Sequence, residues 1–288
     1  MIEFEGQDTL PDLVNPVMVC AFEGWNDAGD AASGAVLHLE EVWAAKQVAE
    51  MDPEEYYDYQ VNRPEVTHDE DGARLIIWPT TRLVIARIPL ATRDVVLVHG
   101  IEPSMRWRAY TDELLGAARD LGVEMVVTLG ALLADTPHTR PVPVTGTSTD
   151  VKLSAELGYE VSTYEGPTGI VGVLQDACAR AGIPAVSLWA AVPHYVAQPP
   201  CPKATLALLA NLEDLLDVPL PLGDLPEQSR EWQQGVDDLA AEDDEVQTYV
   251  RQLEEVRDTA DLPEASGDAI AREFERYLRR RGAEGGKS

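Results

Sequence analysis

Four apolar runs of strand length constrain this chain most: VMVCAF at 17–22, VVLVH at 95–99, MVVTL at 125–129 and IPAVSLWAA at 183–191. None alternates cleanly between apolar and polar residues. A strand that is apolar on both sides needs cover on both sides, which is the signature of a sheet buried between two helical layers. Helical patterns lie between the runs. Residues 28–45 open with Ala28, Gly29, Ala31, Ala32, Ser33 and Gly34, small enough for close approach of helix to sheet or of chain to chain. Asn26 or Asp27 stands before them as an N-cap acceptor. Residues 107–121 place Tyr110, Leu114, Leu115, Ala118 and Leu121 at helical spacing, ended by Gly122. A third helix opens at GPTGIVG and ends at Gly182, and a fourth spans 203–216. The alternation predicts an α/β fold, a three-layer α/β/α sandwich. Residues 73–78 and 82–88, joined by Pro79-Thr80-Thr81, read as a hairpin, which makes the central sheet mixed. Residues 159–164 read as a further short strand.

After residue 223 the pattern changes. Residues 224–261 hold thirteen acidic residues and three arginines, with Trp232, Leu239, Val246 and Leu253 seven apart. This predicts one long helix with a narrow apolar seam and a solvated acidic face. A second helix over 266–281 carries Ile270, Phe274, Tyr277 and Leu278 on one face. The organisation expected is therefore a core domain at 1–222, an acidic helical hairpin appendage at 223–281 and a disordered tail at 282–288.

The formal net charge of −29 argues against nucleic acid and anionic membranes as partners, because their phosphates repel it. Cys20, Cys178 and Cys201 are scattered without a CxxC pair, as expected in a reducing compartment. The first ten residues are acidic where a signal peptide is basic. No apolar run reaches the roughly 20 residues of a membrane span. A cytoplasmic protein is expected.

The stretch most suggestive of chemistry is 125–150, a buried strand that turns at Gly130 into a polar loop. Loops after apolar strands are where open α/β sheets place sites. Asp135, His138, Arg140, Thr145 and Ser148 are candidate ligand-binding residues there: histidine as a base near neutral pH, arginine as an anion clamp. The competing reading is that they tie down a proline-rich turn. Gly166 and Gly169 open a helix whose free N–H groups suit a phosphate, although close packing explains glycine there equally well. Glu23 and Glu102 fall near strand ends and complete the candidate set. No GxSxG, P-loop, HExxH or cysteine–histidine pattern is present, so no metal or cofactor is predicted and catalytic residues remain unassigned.

Several segments together resemble the proteasome assembly chaperone 2 family, in particular its actinobacterial branch of uncharacterised members. They are FEGWNDAGDAASGAV at 22–36, HGIEPSMRW at 99–107, VTLGALLADTPHTRPVPVTGTS at 127–148, EGPTGIVGVL at 165–174 and LWAAVPHYVAQPPCPKATLALL at 188–209. The resemblance implies a core similar to purine nucleoside phosphorylases. It also implies self-association into a homo-oligomer such as a trimer, and a non-enzymatic interaction role akin to ATP-independent proteasome assembly. Other proteins would be met through the acidic helical tail. The alternative is an enzyme or small-ligand binder on the phosphorylase-like scaffold, acting on a small anionic or nucleoside-like molecule.

Overall fold

The computed structural model describes residues 2–4, 12–69, 71–88 and 92–261. In chain order the elements are β1 (Ile2–Phe4), β2 (Val17–Glu23), α1 (Ala31–Val42), β3 (Lys46–Met51), β4 (Glu65–His68), β5 (Arg74–Ile77), β6 (Thr81–Ala86), β7 (Val95–Ile101), α2 (Trp107–Asp120), β8 (Met125–Ala134), β9 (Val144–Ser148), α3 (Val151–Leu157), β10 (Glu160–Val161), α4 (Ile170–Ala181), β11 (Ala185–Pro193), α5 (Pro202–Leu216), α6 (Leu225–Ala241) and α7 (Asp244–Asp261).

Among the described residues nine strands form one sheet in the order β1-β3-β6-β7-β2-β8-β11-β9-β10. Its centre is parallel: β2 pairs with β7 and β8, and β8 with β11 over nine residue pairs. Antiparallel β6, β3 and β1 extend one side, and antiparallel β9 extends the other. The sheet is mixed, as expected. The unbroken run of β2 has a simple cause. Val17, Val19 and Ala21 pack into the layer of α1 and α5, while Met18, Cys20 and Phe22 pack into the layer of α2 and α4. Every residue of the run meets a helix, so none is polar.

The expected hairpin is wrong in its partners. β5 pairs with β4, not with the strand after Pro79, and this pair stands apart as a two-stranded sheet. β6 belongs to the main sheet between β3 and β7. Sequence reading missed β3 because KQVAEM is half polar, and its burial alternates in part.

Gly130 is not a turn. β8 runs straight through it, and glycine stands there because a Cβ would lie 2.7 Å from the ring of Trp189, its partner on β11. The polar stretch after Pro143 is not all loop either: it contains β9, where Gly146 leaves room for the Tyr159 ring. The small residues at 28–34, leading into and opening α1, serve packing within the chain. A Cβ at Gly29 would meet Cys201 at 2.7 Å, and one at Gly34 would meet Thr205 at 3.4 Å.

The expected single helix over 224–261 is two, α6 and α7, with a break at Glu242 and Asp243. The helix expected at 266–281 and the tail at 282–288 lie outside the described residues.

Candidate functional site

The loop from Asp135 to Arg140 leaves the carboxyl end of β8 and receives the two C-terminal helices. His138 is buried, at 1% exposure. Its backbone N–H donates to the Tyr195 hydroxyl at 2.8 Å, and that oxygen lies 2.7 Å from His138 Nδ1. Because the Asp237 carboxylate on the other ring nitrogen can only accept, Nδ1 of the neutral ring is the acceptor and the tyrosine proton points to it. The imidazole proton then sits on Nε2, which donates to Asp237 Oδ1 of α6 at 3.0 Å. Burial lowers the pKa of His138 from its usual value, outweighing the opposing pull of Asp237, so this neutral tautomer persists at neutral pH. Burial likewise pushes the Tyr195 hydroxyl up to about 12.

Lys203, at the start of α5, donates to the His138 carbonyl and to Gln233 Oε1 of α6, the latter at 2.6 Å. Arg140 reaches α7. Its Nε and Nη2 donate to the two oxygens of Asp258, and Nη1 donates to Glu254 at 3.1 Å. Thr139 also donates to Glu254. Tyr249 donates to Asp135 at 3.1 Å, and the rings of His194, Tyr195 and Tyr249 meet edge to face with centroids 5.5–6.0 Å apart. The part of the acidic face formed by Asp237, Glu254 and Asp258 is thus bound to the loop.

The nine candidate residues separate into different environments. Asp135, His138 and Arg140 hold the C-terminal helices. A general base needs a lone pair facing its substrate; that of His138 faces Tyr195. Ser148 is buried in β9, donating to the Ala185 carbonyl at 2.7 Å, and Thr145 is exposed on the same strand. Glu102 follows β7 and serves α4: its Oε1 accepts from Asn26 Nδ2 at 2.7 Å and from the Ile170 N–H at 2.8 Å. Gly169 permits this, since a Cβ there would overlap Asn26 Oδ1 and lie 2.7 Å from Glu102 Oε1. Close packing, not phosphate geometry, accounts for that glycine. Gly166 is exposed and sits against Tyr164. Glu23 ends β2 with its Oε1 3.1 Å from His99 Nε2, and that ring lowers the carboxyl pKa. Asp27 caps α1 by accepting from the N–H groups of Ala32 and Ser33; burial raises its pKa. Among the described residues no group of three histidines, cysteines or carboxylates is placed to hold a metal ion. No described helix is long and apolar enough to cross a membrane.

Tyr195, Lys203, Asp237, Tyr249, Glu254 and Asp258 escaped the sequence reading. Two signals pointed to them. Arg140 is the only lysine or arginine between Arg119 and Lys152, and Glu254 and Asp258 are four apart on one helix face.

A mixed α/β/α sandwich whose strand-end loop is closed by its own acidic helices defines a class of protein without an exposed catalytic constellation at that loop. Comparison with known proteins identifies the class: residues 21–240 match the model of the PAC2 family, and the chain belongs to that family. A PAC2 family protein from Streptomyces avermitilis MA is 64% identical, with a TM-score of 0.78 over 82% of this chain and 99% of its own. A proteasome-assembly chaperone homologue from Mycobacterium tuberculosis is 55% identical, with a TM-score of 0.75 over 81% and 99%. The archaeal proteasome activator PbaB of Pyrococcus furiosus is 18% identical and shares the fold, with a TM-score of 0.65 over 83% and 98%. No protein with a curated description matches the chain.

Proposed function

We propose that this chain is a non-enzymatic, self-associating protein-interaction module of the cytoplasm, acting in the manner of an ATP-independent assembly chaperone. The observation that carries the reading is the arm formed by β4 and β5. All eight of its strand residues are exposed, and the arm pairs with no other described strand. Val66 and Ile76 share one face, while Leu75 and Ile77 share the other. Val66 is 53% exposed and Ile77 54%. A lone two-stranded hairpin is marginal in water, and apolar residues on both its faces call for cover. A second copy is the cover proposed. One arm reaching a different surface on the next copy makes a heterologous contact, which closes into a ring when the rotation relating successive copies closes; a closed trimer is the assembly proposed. The 55% identity to a proteasome-assembly chaperone homologue supports the protein-partner class.

The test is capture from a native extract of the host, comparing the wild-type chain with the arm variant Leu75→Asp/Ile77→Asp. The wild type retains proteasome subunits or another stable protein partner, and the variant, having lost its assembly, retains less. Recovery of the wild-type chain alone contradicts the chaperone role.

A further inference from the structure

The seam Trp232, Leu239, Val246, Leu253 keeps its seven-residue spacing across the break between α6 and α7. The break itself, Glu242 and Asp243, contains neither glycine nor proline and is exposed. That seam, with no glycine or proline at the break, fits a continuous helix as well as a hairpin; Gly235, the one glycine of the run, already lies inside α6. In the folded-back form the seam is left unused in part, since Leu239 is 63% exposed. α7 also carries its own start: Asp243 Oδ1 accepts from the N–H groups of Glu245 and Val246 at 2.8 and 3.3 Å.

The receptor for α7 is equally specific. It consists of Arg140 for Asp258 and Glu254, Thr139 for Glu254, and Asp135 with His194 and Tyr195 for Tyr249. α7 adds little apolar sealing: among its described side chains only Val250 and Leu253 are buried, and Val256 is exposed. Most of what fixes its position is polar contact to one loop.

We propose that α6 and α7 straighten into one helix and that α7 then docks on the 135–140 loop of a second copy, so that the C-terminal helix is exchanged between molecules. The second copy is the occupant because it carries the identical loop, which already selects this helix. Straightened, residues 225–261 span about 55 Å at 1.5 Å per residue, enough to reach a neighbouring molecule. The hydrogen bonds and ion pairs made to the second copy are the same ones released within the chain, which is what makes exchange of an element between copies a low-cost route to association. Straightening also places Leu239 on one stripe with Val246 and Leu253, available to the matching stripe of the partner. The proposal deepens the self-association reading by naming a second contact, independent of the β4–β5 arm.

Disulfide trapping tests it on the full chain. The native cysteines Cys20, Cys178 and Cys201 are all buried and do not interfere. A chain carrying both Thr139→Cys and Glu254→Cys reports the closed form, as a crosslinked monomer. Two chains carrying one substitution each are mixed in high salt, returned to low salt and oxidised. Exchange predicts a crosslinked dimer at least several-fold above either chain alone. Adding Asp244→Pro to the Glu254→Cys chain separates the states: proline is tolerated at the first position of α7 but not inside a continuous helix. It abolishes the dimer and leaves the intramolecular crosslink of the double variant intact. The proposal is overturned if the mixture gives no more dimer than the separate chains, if the dimer survives Asp244→Pro, or if the double variant does not crosslink. The mass in solution of the Asp244→Pro chain, which cannot exchange its helix, reports the arm contact separately, so failure of one reading is distinguishable from failure of the other.

Discussion

Arg140 grips Asp258 through two parallel hydrogen bonds, each 2.8 Å long, across 118 positions of sequence. This bidentate pair joins the central loop to the last described helix. It converts what reads in sequence as an anion-binding loop into a clasp for the chain's own carboxylates. The pair is accessible to water, with side-chain exposures of 34% and 55%, so salt screens it. Replacing Arg140 with alanine is expected to leave the melting temperature nearly unchanged and to raise amide exchange in 244–261 several-fold. Salt at about 1 M should reproduce the effect in the wild type. Unchanged protection in 244–261 would count against the clasp.

The His138 contact predicts a pH dependence. Burial lowers the folded-state pKa below the usual 6.5, so the unfolded chain binds the proton first. The contribution is fully present above about pH 6.5 and is lost as pH falls through the lower folded value. Burial is the main cause; of the charged groups facing the ring, Asp237 and Glu254 oppose it and Lys203 adds to it, while Tyr195 bonds the ring at Nδ1. Thermal denaturation of wild type and His138→Gln between pH 7.5 and 5 should show a steeper loss in the wild type. Parallel curves would contradict the assignment.

Gly130 faces the Trp189 ring so closely that a methyl group does not fit. Gly130→Ala is expected to cost roughly 1–3 kcal/mol, the range for overpacked cores. Trimming the ring with Trp189→Leu in the same chain should recover part of that loss, giving a coupling that a denaturant titration measures as non-additivity.

Glu102 joins three segments by accepting from Asn26 and from the first N–H of α4. Glu102→Ala leaves the Asn26 amide, already buried with an unpartnered Oδ1, without its remaining bond. The expected loss is about 1–3 kcal/mol, with exchange at the Ile170 amide rising first. A variant as stable as wild type would show that the carboxylate is incidental.

The layers of this fold were legible because two-sided burial leaves no alternative to continuous apolar strands: β2, β7, β8 and β11 all announced themselves. β3 and β9 did not, since edge-ward strands with one solvated face mix polar and apolar residues. Gly130 misled because a glycine that makes room for an indole ring is indistinguishable, in sequence, from one that turns the chain. His138 and Arg140 were singled out as candidate ligand-binding residues, and they lie in the loop that holds the C-terminal helices. Their partners were not, because Asp237, Glu254 and Asp258 lie about 100 residues or more away and look like any other acids on a charged helix. The family resemblance, by contrast, rested on segments at strand ends, and the match over residues 21–240 bears it out.

Association through the β4–β5 arm is the central claim, and the mass of the full chain in solution tests it most directly. Light scattering on the eluting protein should give an integral multiple of the chain mass, three if the ring is trimeric. For Leu75→Asp/Ile77→Asp, with an unchanged far-ultraviolet dichroism spectrum, it should give a much smaller assembly. A wild-type chain that elutes as a monomer, or an arm variant that keeps the wild-type mass, would contradict the account.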